Sequence, residues 1–221
     1  MNEAIMTIYT ADCRENAMNT LYPHKVTITC ADDLARAAAY DHVCAEYAGN
    51  RRSNSAFRSA DCLPLDLDNS HSENPADWKT LDDVTATFPG VAYYAVPSRN
   101  HMKEKDGKAA RPRYHLYFPV DPVTDAAEYR RMKEYMLAMF PYFDDNAKDA
   151  ARFLFGVKDA CLFHPLMTCK AGYAITQHFL NGFSRQAHMI RSAVEHSNHH
   201  GMEVFIPRWT FPFRYCYGMR H

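Results

Sequence analysis

Apolar and polar positions along the chain mark a mixed α and β protein. Met6–Thr10 and Lys25–Thr29 read as short strands. Over Ala31–Tyr47, Leu34, Ala37, Tyr40, Cys44 and Tyr47 fall on one stripe, and Asp32 and Asp33 suit a first turn. A helix is therefore expected there, ended by Gly49 and Asn50. The stretch DCLPLDLDN, Asp61–Asn69, reads as a strand, an apolar run ending in alternation. Leu81–Phe88 predicts a short helix, and Val91–Pro97 and Tyr114–Val120 predict buried strands. Asp125–Phe140 predicts a helix. Asp125 and Glu128 resemble a capping box, and Tyr129, Met132, Met136, Met139 and Phe140 form its stripe. Arg152–Val157 predicts a last short strand. No internal repeat is evident.

One of these strands poses a chemical problem. Asp66 and Asp68 stand two apart, so on a strand they point the same way, about 6.6 Å apart along the axis. Two carboxylates on one face repel, and they lose hydration when covered. A hard divalent cation neutralises such a pair through oxygen ligands, and a third carboxylate from another segment usually completes the site. A DxD pair alone also ends many exposed strands.

Composition narrows the classes. The chain has 221 residues and a formal net charge of −1, so a nucleic-acid surface must be local rather than global. Seven scattered cysteines without a CxxC pattern fit reduced thiols and a cytoplasmic setting. No signal peptide or membrane span is expected. Local basicity does occur. Residues 98–113, SRNHMKEKDGKAARPR, hold six Lys/Arg against two acids, a charge of +4, with Gly107 and Pro112 marking a loop. Arg51, Arg52 and Arg58 lie in a polar loop with no acid. Either segment suits phosphates, as it also suits plain solvation. From Arg185 the chain carries five of its twelve histidines and ends in a proline-broken aromatic run with no clear period. Residues 1–184 are read as one catalytic domain. Residues 185–221 are read as a tail, an accessory segment or the start of a truncated further region. Cys161, His164, Cys169 and His178 give a spacing that departs from common zinc patterns, so zinc is not expected.

Three short motifs, in order, resemble the archaeo-eukaryotic primase (primase–polymerase) superfamily, in the manner of its phage, plasmid and mobile-element branch. They are LPLDLDN with Asp66 and Asp68, RPRYHLYFPV with His115, and KDAARFLFG with Asp149. The flanks RRSNSAF, SRNHMKEK and Arg152 agree, and the likeness covers about residues 25 to 180. One departure is Arg113, where many members carry serine two residues before the histidine.

The resemblance implies an α+β fold: an RRM-like antiparallel sheet backed by helices, with a smaller N-terminal αβ unit. It implies a template-directed nucleotidyltransferase, a DNA primase/polymerase joining NTPs or dNTPs with two Mg²⁺ or Mn²⁺ ions held by Asp66, Asp68 and Asp149. His115 is expected at the incoming nucleotide's phosphates. Arg113 and Arg152, joined by Ser98, Arg99 and Lys103, are the expected nucleotide contacts. Arg51, Arg52, Arg58, Lys105, Lys108 and Arg111 are the expected contacts to a single-stranded DNA template. No P-loop is present, so a replicative helicase partner would be a separate polypeptide or a missing part. The rival readings are a metal-dependent nuclease and a non-catalytic RRM-like nucleic-acid binder. The latter needs exposed aromatics on an open sheet face.

Overall fold

A computed structural model describes residues 5–88 and 91–158 of the chain. The tail 185–221 and the Cys161–His178 spacing lie outside the described residues. Eight strands and three α-helices are present among those described: β1 Met6–Thr10, β2 His24–Ile28, α1 Ala31–Ala38, β3 His42–Val43, β4 Glu46–Tyr47, β5 Phe57–Leu67, α2 Leu81–Thr87, β6 Tyr94–Pro97, β7 Tyr114–Val123, α3 Ala126–Met139 and β8 Phe153–Leu154. They make two antiparallel four-stranded sheets, ordered β2-β1-β3-β8 and β4-β5-β7-β6.

The second sheet is buried on both faces, which is why β5 and β7 read as near-continuous apolar runs. Leu63, Leu65 and Leu67 of β5, with Leu116 and Phe118 of β7, share a core with Tyr129, Met132, Met136 and Leu137 of α3, Val84 of α2 and Phe88 just after it. Helix α3 is started by Asp125, whose carboxylate accepts the Ala127 and Glu128 amides. The opposite face presents Cys62, Tyr94, Val96 and Tyr117. These pack with Met6, Ile8, Ile28, Leu34 and Leu154 of the first sheet and α1, and with Cys44 just after β3.

Three polar links stitch the sheets together. Thr7 donates its amide and hydroxyl to the Asp61 carboxylate at 2.8 Å each, and Tyr9 Oη donates to Glu46 Oε2 at 2.9 Å. The third is fully buried. His42 Nδ1 lies 2.7 Å from the Tyr40 carbonyl and Nε2 2.8 Å from Tyr117 Oη. A carbonyl only accepts, so Nδ1 carries the proton and Nε2 accepts from the tyrosine. Burial holds the His42 pKa down, from 6.5 to about 4. The unfolded chain therefore binds a proton between about pH 6.5 and 4 that the folded chain refuses. Stability from this group is present above 6.5 and is lost as pH falls through that window, by about 3 kcal/mol in all. His42→Gln should flatten that part of the wild-type profile, read from urea midpoints at pH 7 and 4.5.

Two expectations need correction. The helix expected over Ala31–Tyr47 stops at Ala38, because the Ala38 carbonyl accepts the Val157 amide at 2.8 Å and His42–Val43 pair with β1 and β8. Tyr40, expected on the stripe, is exposed. The strand expected over Arg152–Val157 covers only Phe153–Leu154, and it pairs with β3 in the first sheet. Only the coarser expectation, a mixed α and β fold with antiparallel strands and few helices, matches the arrangement.

Candidate active site

Register builds the site. Antiparallel pairing sets Asp66 of β5 directly opposite His115 of β7, and His115 opposite Val96 of β6. Facing residues on one pleat bring their side chains together, and His115 Nδ1 lies 2.6 Å from Asp66 Oδ1. Arg152 donates Nη2 to the other carboxylate oxygen, Oδ2. Asp66 is 2% exposed and His115 8%. This face of the sheet is thus covered at this point, because the first sheet packs across it. Burial alone would raise the Asp66 pKa. The His115 hydrogen bond and charge, together with the Arg152 charge, outweigh it and hold the carboxyl at about 2. His115 Nε2 is buried and has no hydrogen-bond partner. A buried orphan nitrogen costs free energy unless something meets it.

Asp68 follows the end of β5 and is half-buried. Its pKa is raised by burial first, then by the charges of Asp66 and Asp144. The next residue fixes the turn. Asn69 adopts φ 51°, the left-handed region that asparagine tolerates. Its side chain accepts the Lys79 amide and donates to the Lys79 and Pro112 carbonyls.

Asp144 went unassigned in the sequence reading. Its amide donates to the Asp66 carbonyl at 2.8 Å, so the backbone at Asp144 is fastened to the very strand end that carries the paired acids. Asp149, the expected third acid, is exposed. Its Oδ1 accepts the Ala151 amide and its carbonyl accepts Lys133 Nζ at 2.7 Å. Asp149, Asp66 and Arg152 all act by charge on the buried Lys133. Among the described residues no three His, Cys, Asp or Glu side chains form a ready-made metal cage. The donor chemistry still suits a cation: two carboxylates at one strand end and a third acid whose charge reaches Asp68 concentrate oxygen ligands and negative charge.

The basic residues divide. Arg152 meets the site. Arg113, 4% exposed, donates Nη1 to the Asn100 and Lys103 carbonyls at 2.8 Å, and so folds the 98–113 loop around itself. Burial lowers its pKa, with the Asp68 charge opposing. Ser98 is buried, its amide on the Arg113 carbonyl, and the Arg99 guanidinium stacks 3.7 Å over the Phe155 ring. Lys103, Lys105 and Lys108 are exposed, and Lys105 is near enough to act on Asp68. Arg111, an expected template contact, is fully buried. It donates to the Asn69 and Ser72 carbonyls and to Glu73, and lies 5.1 Å from the Trp78 ring. Arg111 therefore closes the loop after Asp68 instead of facing solvent. Arg51 and Arg58 are exposed, away from the acids in sequence and unlinked to them. Arg52 donates to the Ala151 carbonyl and stacks on Phe153.

Lys133 was also missed. It is 1% exposed inside the apolar face of α3, and burial lowers its pKa to about 8. A lysine between Met132 and Met136 was the available signal. Its bond to the Asp149 carbonyl ties the segment between Asp144 and Arg152 to the helix.

No family model matches the chain, and no curated protein matches it. Among solved structures it is similar to the AEP domain of the cyanophage S-2L primase-polymerase (PrimPol), with 12% sequence identity and a TM-score of 0.45 over 82% of this chain and 90% of that one. At that identity and score the likeness decides neither the fold nor the reaction. No helix among the described residues is long and apolar enough to cross a membrane.

Proposed function

We propose that the chain is a template-directed nucleotidyltransferase, a DNA primase/polymerase with an RRM-like catalytic sheet, acting on NTPs or dNTPs and a single-stranded DNA template in replication of a phage or mobile element. The observation that carries this reading is the buried Asp66–His115 pair, with Asp68 and the Asp144 backbone at the same strand end. Two bound Mg²⁺ or Mn²⁺ ions would supply activation of an attacking 3′-hydroxyl and neutralisation of triphosphate charge. Asp66, Asp68 and Asp144 would hold them. His115 keeps Asp66 oriented through Nδ1, and when the ring carries both protons its unpartnered Nε2 would donate to a phosphate oxygen. Arg152 and the 98–113 loop, shaped by Arg113, offer more cationic donors than one scissile phosphate requires, which favours a triphosphate over nuclease chemistry. A base-stacking binder needs its sheet face open, whereas here that face is covered by the first sheet. A separate replicative helicase is the proposed partner.

The test is incubation with a single-stranded template, labelled NTPs or dNTPs and Mn²⁺, with and without a primer. Incorporation supports the reading. Degradation of the template without incorporation would replace it with the nuclease.

The exposed and buried cations should separate in the same system. Lys105→Gln and Lys108→Gln should each lower the salt slope of template affinity by about one. Arg111→Met should leave that slope unchanged and cost about 2–4 kcal/mol of folding stability, since it removes charge-assisted bonds to a loop. Affinity against salt and urea melts of the three variants check this.

A further inference from the structure

Asp66 has no free oxygen. His115 holds Oδ1 and Arg152 holds Oδ2, in a setting where the carboxylate is 2% exposed. A cation ligated through Oδ2 would have to share that oxygen with the Arg152 guanidinium. The two partners differ in how firmly they are seated. His115 is locked by strand register between β5 and β6. Arg152 comes from the turn just before the two-residue strand β8, and its side chain is 27% exposed. It reaches Asp66 through one terminal nitrogen, and its Nε is buried without a partner, so the pairing lacks the two-pronged form in which arginine binds carboxylate most strongly. A divalent ion at Asp66 with the guanidinium still in place would set like charges in contact.

We infer that Arg152 is the resident counter-ion of Asp66, and that it must leave Oδ2 before a divalent cation binds there, His115 keeping the carboxylate in place meanwhile. This rests on the proposed function, because only a cation-using site asks for the exchange. It makes Arg152 a positioning residue with two stations. One is Asp66. The other, when a nucleotide is bound, is the triphosphate, whose negative charge draws the guanidinium off the acid. Metal and nucleotide then bind with positive cooperativity: Mn²⁺ alone competes with Arg152, and Mn²⁺ with a triphosphate does not.

The experiment measures Mn²⁺ binding without nucleotide, from the electron paramagnetic resonance signal of free Mn²⁺ at fixed ionic strength. The proteins are wild type, Arg152→Gln, Lys105→Gln and the double variant Asp66→Asn/Arg152→Gln. Arg152→Gln should bind Mn²⁺ about tenfold tighter than wild type or more. Lys105→Gln removes a nearby charge that makes no bond to Asp66, and it should change affinity less than about threefold. The double variant should lose the gain. Equal or weaker Mn²⁺ binding by folded Arg152→Gln, in a wild type that incorporates nucleotide, overturns the inference and leaves the proposed function standing. An equal gain in Lys105→Gln also overturns it, since a general field would then suffice. A wild type that neither binds Mn²⁺ with nucleotide nor incorporates nucleotide overturns both. Wild-type protein supplies a check that needs no variant. In nitrogen-15 spectra, the Arg152 guanidinium signal should shift as Mg²⁺ saturates the site with a non-hydrolysable triphosphate, because its partner changes from the Asp66 carboxylate to phosphate oxygens. An unchanged signal at saturation overturns the inference.

Discussion

Asp144→Ala should lose nucleotide incorporation by about a hundredfold or more, while Asp149→Ala stays within a few-fold of wild type. A group that stabilises charge at the reacting centre is worth about 10²–10³ in rate, and Asp144 is the third acid whose charge reaches Asp68. Its backbone is bonded to Asp66, so its place follows the strand end that carries the other two. Asp149 is exposed, and the bonds seen at its side chain and carbonyl go to Ala151 and Lys133. Losing the Ala151 bond should cost only about 1 kcal/mol of stability. Initial rates on a primed template at saturating Mn²⁺, with circular dichroism to confirm folding, check the pair. Full loss in Asp149→Ala with activity kept in Asp144→Ala would reverse the assignment.

Asp41→Ala should destabilise the fold by about 3–5 kcal/mol, the largest effect on stability expected from one polar residue here. Asp41 is fully buried. Its Oδ1 accepts the Glu15 and Gly156 amides at 2.9 and 2.8 Å, and its Oδ2 accepts the Asn16 amide at 2.8 Å. Alanine would strand all three donors. Asp41→Asn keeps an oxygen for Glu15 and Gly156 and should cost about 1–2 kcal/mol. Urea unfolding at pH 7 separates the two variants. Near-equal losses would show that charge, rather than the oxygen shared by two amides, holds this corner. The same corner has no room for a side chain at Gly156, where a Cβ would lie 2.6 Å from the Tyr40 carbonyl carbon.

The legible parts of the sequence were those where one period ran unopposed. Strands β5 and β7 announce themselves as apolar runs buried on both faces and helix α3 by its helical spacing, and Asp66 and His115 each stand in one of the motifs. The failures have physical causes. Leu34, Ala37, Tyr40, Cys44 and Tyr47 keep helical spacing past Ala38 by coincidence, and pairing with β1 and with β8, more than a hundred residues away, overrides it. Nothing local reveals that partner. Arg111 and Arg113 looked like members of a solvated run, yet both turn inward, Arg111 to the Asn69 and Ser72 carbonyls and Arg113 to the Asn100 and Lys103 carbonyls. The third acid did have a signal. Phe143, buried, precedes Asp144 as Leu65 precedes Asp66 and Leu67 precedes Asp68. A buried apolar residue directly before an acid anchors the backbone that presents it.

The unbroken register from Cys62 to Leu67 against Pro119 to Tyr114 also governs which changes of chain length the architecture tolerates. A single-residue insertion or deletion inside that run would move Asp66 to the apolar side of its strand and deliver a leucine to His115. The irregular register between Ala60 and Cys62 is a natural place to absorb an extra residue without disturbing the pairs beyond it. The turns between β5 and α2 and between β6 and β7 are further such places, provided Asn69, Arg111 and Arg113 keep their carbonyls. Length variation among proteins built this way should therefore gather at the bulge and in the loops, and leave the six paired positions between them intact.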